Sequence, residues 1–176
     1  MALCGVLLAG CSDPGSRALL KGEKLIQQGQ YAKAAAELEM ATRLLPKSAQ
    51  AWNHLGLAFQ YQRQFQPAQQ AYRQALAIDQ NLASARFNLG NLFFEHSDFA
   101  AAVDQLTSYT LLQPRSLQAW LKLGSAQIQM KRYDAAERSF KAALELHPGS
   151  CEALNGLGNV SVYRRRAQDA VNYFNR

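Results

Sequence analysis

Between Ala119 and Pro148 the chain carries two stretches of apolar residues at helical spacing, joined by a few polar positions. Ala119-Trp120-Leu121-Lys122-Leu123-Gly124 opens the first; Tyr133, Ala136, Phe140 and Ala143 mark the second, and Pro148 closes it. Apolar residues at i, i+3, i+4 and i+7 predict helices, so the segment reads as a helix A, a short turn and a helix B. Moved back by 34 residues, the pattern returns as Trp52, Leu55, Gly56, Phe59, Phe65, Ala68, Tyr72 and Ala75.

The same period runs along the chain. Gly22, Gly56, Gly90, Gly124 and Gly158 share one phase; Ala34, Ala68, Ala102, Ala136 and Ala170 share another. Tyr31, Phe65, Phe99 and Tyr133 form a third, from which Ala167 departs. Pro46, Pro114 and Pro148 close three units, with Gln80 in that place in the second. Self-similarity at a fixed period signals a solenoid, in which each unit buries its apolar face against its neighbours. Small Gly and Ala let helices A and B approach, and the aromatics fill the space left between units. Ser48, Ser116 and Ser150 stand where they can cap helix A, and Asp98 where it can cap helix B of the third unit. The prolines end helix B, because proline cannot continue a helix interior.

This period and pattern resemble the tetratricopeptide repeat family, from Gly15 to Arg176. The resemblance implies an all-α fold, a right-handed alpha-alpha solenoid of helical hairpins, with units at 15–48, 49–82, 83–116, 117–150 and an incomplete fifth at 151–176. The first unit has Ala18 and Lys21 where later ones have Trp52 and Leu55, which suits an end cap. In the fifth, Val160, Val171 and Phe174 are expected to have little cover. That makes the chain either a fragment of a longer repeat protein or one whose C-terminal repeat docks on a partner or self-associates. In this family helix A lines a concave groove that binds peptides or partner helices. Carried over, the groove comprises Asn53, His54, Leu57 and Tyr61; Phe87, Asn88, Asn91, Phe94 and Glu95; Leu121, Lys122, Ser125, Ile128 and Gln129; and Asn155, Asn159, Val162 and Tyr163. Asn offers both a donor and an acceptor to a peptide main chain, and aromatics supply contact area at low entropic cost. Lys122 is the one basic residue in that set, so a clamp for an acidic C-terminal tail is not expected.

Residues 1–10 are almost wholly apolar, and the sequence turns polar at Ser12-Asp13-Pro14-Gly15-Ser16. Ten residues are too few to span a bilayer but suit the apolar region of a secretory signal. Leu8-Ala9-Gly10-Cys11 resembles the bacterial lipobox, which implies that Cys11 becomes an acylated N-terminus and anchors the protein to a membrane. No Lys or Arg precedes the apolar run, a departure from that pattern. In lipoproteins of that type Asp after the cysteine favours retention in the inner membrane, so the resemblance, with Ser12 in that place, implies the outer membrane, periplasmic face. The five residues of the tether reach about 17 Å when extended, so the first repeat would stay close to the bilayer. A cytoplasmic location is the alternative if Cys11 is not processed.

Composition narrows this reading. A charged fraction of 18% beside an apolar fraction of 48% excludes a disordered polyelectrolyte. The net charge of +6 is spread out except at Arg164-Arg165-Arg166, which reads as a solvated turn; without interleaved aromatics, no nucleic acid partner is expected. Cys4, Cys11 and Cys151 fit neither a metal site nor a disulfide framework, and Cys151 is expected to pack at a helix start. His54, His96 and His147 fall at different phases, and Glu95-His96-Ser97-Asp98 lies at a turn. No catalytic, metal or cofactor site is expected. The predicted function is a non-catalytic scaffold that binds a protein or peptide in the groove and helps a multi-protein complex assemble. The alternatives are a cytosolic adaptor and the repeat region of a larger enzyme such as a glycosyltransferase.

Overall fold

The computed structural model describes residues 13–176. The signal-like segment, Cys4 and Cys11 lie outside the described residues. Ten α-helices and no strand are found among those described: α1 (Pro14–Gln27), α2 (Tyr31–Leu44), α3 (Ala49–Tyr61), α4 (Phe65–Ile78), α5 (Ala83–Glu95), α6 (Phe99–Leu112), α7 (Leu117–Gln129), α8 (Tyr133–Leu146), α9 (Cys151–Tyr163) and α10 (Ala167–Phe174). They fall into two compact units, divided between Ile78 and Asp79. In unit 1, hairpin α1–α2 packs through α2 onto α3 of hairpin α3–α4, and α1 also touches α3. In unit 2, α6 packs on α7 and α8 on α9, while the first helices α5, α7 and α9 meet in succession. The fold class is the all-α hairpin solenoid that the period predicts.

Two devices recur at every period. The first is the A-to-B turn. Gly29, Arg63, Ser97, Lys131 and Arg165, each 34 residues after the last, take a left-handed φ of 57–71°. That residue's N–H bonds back to the second-last helical carbonyl, and the next N–H to the one before, as in Gly29→Ile26 and Gln30→Leu25, both 2.9 Å. This is a Schellman ending, which satisfies carbonyls that the helix leaves open. Only the first turn uses glycine; the other four hold an L-residue in a conformation that costs about 1–2 kcal/mol.

The second device seats helix B on helix A. A Cβ placed on Gly22, Gly56, Gly90, Gly124 or Gly158 would come within 2.3–2.9 Å of Leu38, Tyr72, Leu106, Phe140 or Phe174, sixteen positions on. The glycine is therefore the socket for the large residue of helix B. Phe140 also lies against Gly156 of α9, so one ring joins two hairpins. It sits with Leu121, Leu157 and Val160 in a buried cluster that Trp120 partly covers. Tyr72, wholly buried, donates its hydroxyl to Gln60 Oε1 at 2.8 Å.

A third feature appears in three hairpins. Trp52 Nε1 donates to the Pro46 carbonyl (3.1 Å), Arg86 Nε to Gln80 (2.9 Å) and Trp120 Nε1 to Pro114 (2.8 Å), each six residues back. The half-buried Trp rings thus tie helix A to the loop before it.

Ser48, Asp98 and Ser150 cap their helices as expected, accepting from Ala51, Ala101 and Ala153 N–H groups at 3.2 Å. Ser116 does not: it takes nearly the torsions of Ser48 but makes no side-chain bond, so backbone geometry alone sets that N-cap. Asp13 caps α1, accepting from Gly15 and Ser16 N–H groups. Cys151, expected to pack, is exposed, because it is the first residue of α9 and has no helical turn over it. Val160, expected to lack cover, is 1% exposed, because α7 and α8 cover it. Val171 and Phe174 are about half exposed.

Candidate partner-binding surface

The helix-A residues of unit 2 converge on one cleft. Phe94 from α5, Gln118, Leu121, Lys122 and Ser125 from α7, and Glu152 from α9 line a depression of about 280 Å³, with Phe140 of α8 beneath. The Lys122 ammonium lies 5.3 Å from the centre of the Phe94 ring, across the α5–α7 boundary. Such a cation over an aromatic face is worth about 0.5–1 kcal/mol at an exposed site. Phe94 is held edge-on by Phe99, with centroids 5.6 Å apart, so its position is set from within its own hairpin. Ser125 donates its hydroxyl to the Leu121 carbonyl at 2.9 Å.

The α9 wall continues this surface. Asn155, Asn159 and Tyr163 fall at i, i+4 and i+8, all exposed. Tyr163 stacks on Tyr133 with centroids 5.2 Å apart and planes at 14°. Gln129 is exposed at the end of α7. Asn91 is half-buried, and its Oδ1 is enclosed without a donor. An amide oxygen left so costs about 1–3 kcal/mol. Asn88 is half-buried and has a partner of its own. Phe87 turns onto its own hairpin, 4.9 Å from the Tyr109 ring, and adds little to the cleft.

In unit 1 the corresponding positions are largely occupied. Asn53 is 5% exposed and engaged. His54 Nε2 lies 3.3 Å from Glu23 Oε1, bridging α3 and α1. Burial pushes the His54 imidazole below its ordinary value, and the nearby Glu23 carboxylate opposes this in part. Tyr61, 52% exposed, stacks on Tyr31 at 4.5 Å.

Glu152 and Gln118 were not among the expected groove residues. Their signal is in the sequence: they stand 34 apart at one phase of helix A, three residues ahead of Leu121 and Asn155. Among the described residues, no three His, Cys, Asp or Glu side chains are grouped so as to hold a metal. No helix among them is long and apolar enough to cross a membrane.

Comparison with known proteins agrees with this architecture. Residues 87–150, 121–176 and 49–82 match the tetratricopeptide repeat, and residues 22–63 match a TPR repeat. The chain is 28% identical to the type IV pilus assembly protein PilF of Pseudomonas aeruginosa, covering 98% of this chain and 75% of that protein. Among solved structures, MamA from Desulfovibrio magneticus RS-1 superposes with a TM-score of 0.86 at 17% identity, over 94% of each chain. The structure of pilF from Pseudomonas aeruginosa superposes with a TM-score of 0.77 at 24% identity, over 92% of this chain and 74% of that one. At such identities the superpositions speak for the fold alone.

Proposed function

The chain belongs to the tetratricopeptide repeat family, and from that premise we propose that it is a non-catalytic scaffold whose unit 2 holds a segment of a partner protein against α5, α7 and α9. The observation that carries this reading is the cleft where three successive helix-A faces meet around Phe94, Lys122 and Glu152. It joins an aromatic wall, one cation, one carboxylate and exposed amides, a mixture that suits a polypeptide with both main-chain and side-chain contacts. The groups there are placed to hold a ligand; a nucleophile with an adjacent base is not among them.

The task we assign is help in building a multi-protein assembly of the bacterial envelope. The likeness to a pilus assembly protein supports that class of task. The Leu8-Ala9-Gly10-Cys11 sequence supports a lipid anchor on Cys11, which would keep the repeats at the membrane surface.

Two measurements test the proposal. Capture of partners by the wild-type chain and by Phe94→Ala/Lys122→Ala should differ, with the double variant losing the partner about tenfold or more while its circular dichroism stays helical. Equal capture by both would move the site off this cleft. The intact mass of the protein from its host should correspond to a chain beginning at an acylated Cys11; a mass that includes residues 1–10 would remove the anchor.

A further inference from the structure

We propose that the turn edge of unit 2, away from the helix-A cleft, is a second contact site that takes an acidic segment of a protein. The A-to-B turns of the last two hairpins bring Lys131 and Arg132 beside Arg164, Arg165 and Arg166, and Arg138 joins them from α8. Lys131, Arg132, Tyr133, Asp134, Arg138 and Arg164 are among the residues lining a notch of about 350 Å³ there.

The ion pairs on this edge leave cations over. Arg164 binds both Asp134 and Glu137; Glu137 also takes Lys141 at 2.7 Å and Arg166 at 3.6 Å. Two carboxylates are thus shared among three cations. The Lys141 hydrogen bond first, then the charges of Lys141, Arg164 and Arg166, hold the Glu137 carboxyl below its ordinary value. No carboxylate among the described residues pairs with Lys131, Arg132, Arg138 or Arg165, all of them exposed. The corresponding turns elsewhere read Gln28-Gly29-Gln30, Gln62-Arg63-Gln64 and His96-Ser97-Asp98. The excess is therefore local to this edge, not a share of a uniformly basic surface.

Unpaired cations held close together repel one another, and a carboxylate placed among them relieves that repulsion. The guanidinium fork matches a carboxylate with two parallel hydrogen bonds. The form of the site favours a polypeptide over a bilayer. A notch admits side chains one at a time, whereas a flat lipid surface would meet only its rim. Tyr133, stacked on Tyr163, gives the notch an apolar flank for the methylene groups of Glu. The notch and the cleft around Phe94 and Lys122 share no lining residue, so either can hold if the other fails.

The test uses the full chain and a fluorescent oligoglutamate about ten residues long, with oligoglutamine as the uncharged control. Three proteins are compared by anisotropy: wild type, Lys131→Gln/Arg132→Gln/Arg138→Gln, and a variant of equal charge loss in unit 1, Lys24→Gln/Arg43→Gln/Lys47→Gln. Removing three contacts should weaken oligoglutamate binding about tenfold in the notch variant and about twofold or less in the control. Binding should fall with salt, and oligoglutamine should not bind. Equal weakening in both variants would overturn the proposal, since net charge alone would then explain it. So would no oligoglutamate binding by the wild type, or phosphatidylglycerol vesicles that need the notch cations more than oligoglutamate does. Helical circular dichroism in both variants keeps a folding defect from mimicking the result.

Discussion

Asn53 and His54 of unit 1 stand 34 residues before Phe87 and Asn88, and 68 before Leu121 and Lys122, at the same phase of helix A. The two units use these positions differently. Unit 1 spends them internally: Asn53 is buried, and His54 turns to Glu23 of α1. Unit 2 keeps an open cleft, with Lys122 over Phe94, Glu152 opposite, and Asn155, Asn159 and Tyr163 exposed along α9. What stays constant is the hairpin: the glycine socket, its partner sixteen residues on, and the left-handed turn. Architecture resides in the positions that repeat, and binding chemistry in those that vary between repeats.

The largest effects should fall on the constant part, alike in both units. Phe140→Ala should cost about 3–5 kcal/mol and Leu38→Ala about 2–5 kcal/mol in urea unfolding, because each empties a buried socket. A small loss at Leu38 beside a large one at Phe140 would show that the units do not share one core logic. Next comes Gly124→Ala, whose Cβ would meet Phe140 at 2.7 Å. Overpacking there should cost about 1–3 kcal/mol; no loss would mean that the ring has room to shift. Relief of the turns should act the other way. Ser97→Gly removes a side chain from a left-handed position and should raise stability by about 1 kcal/mol.

The smallest effect separates the units by pH. The half-buried His54 binds a proton less readily than in the unfolded chain, where its ordinary value is 6.5. Below that pH the unfolded state therefore takes up more protons, and the His54 contribution to stability falls as pH drops. Glu137 in unit 2 behaves differently. Its lowered carboxyl contributes stability above its ordinary 4.5 and loses it only as pH falls further. Between pH 7 and 5 the urea midpoint should thus decline with a slope that His54→Gln reduces; an unchanged slope would contradict the desolvation of His54.

The periodic positions make the hairpins readable in the sequence, because one period fixes the glycine, alanine, aromatic and proline phases together. The turns were harder to read. Arg63, Ser97, Lys131 and Arg165 carry no intrinsic preference for a left-handed φ, and only Gly29 at the same phase hinted at it. The cleft was partly legible. Phase points to Phe94 and Lys122, and both line the cleft. Phase fixes the direction in which a side chain leaves its helix but not what covers it. Hence Asn53 is closed over and Phe87 folds back onto Tyr109, while Glu152 and Gln118, outside the expected set, line the cleft.

The central claim, that a partner segment lies on the helix-A face of unit 2, is tested most directly by photocrosslinking in the native host. A photoreactive side chain is placed in turn at Gln118 and Asn155 in the groove, and at Thr107 on the exposed face of α6. A crosslinked protein partner is expected from Gln118 and Asn155 and none from Thr107. A partner captured from Thr107, with Gln118 and Asn155 silent, would contradict it.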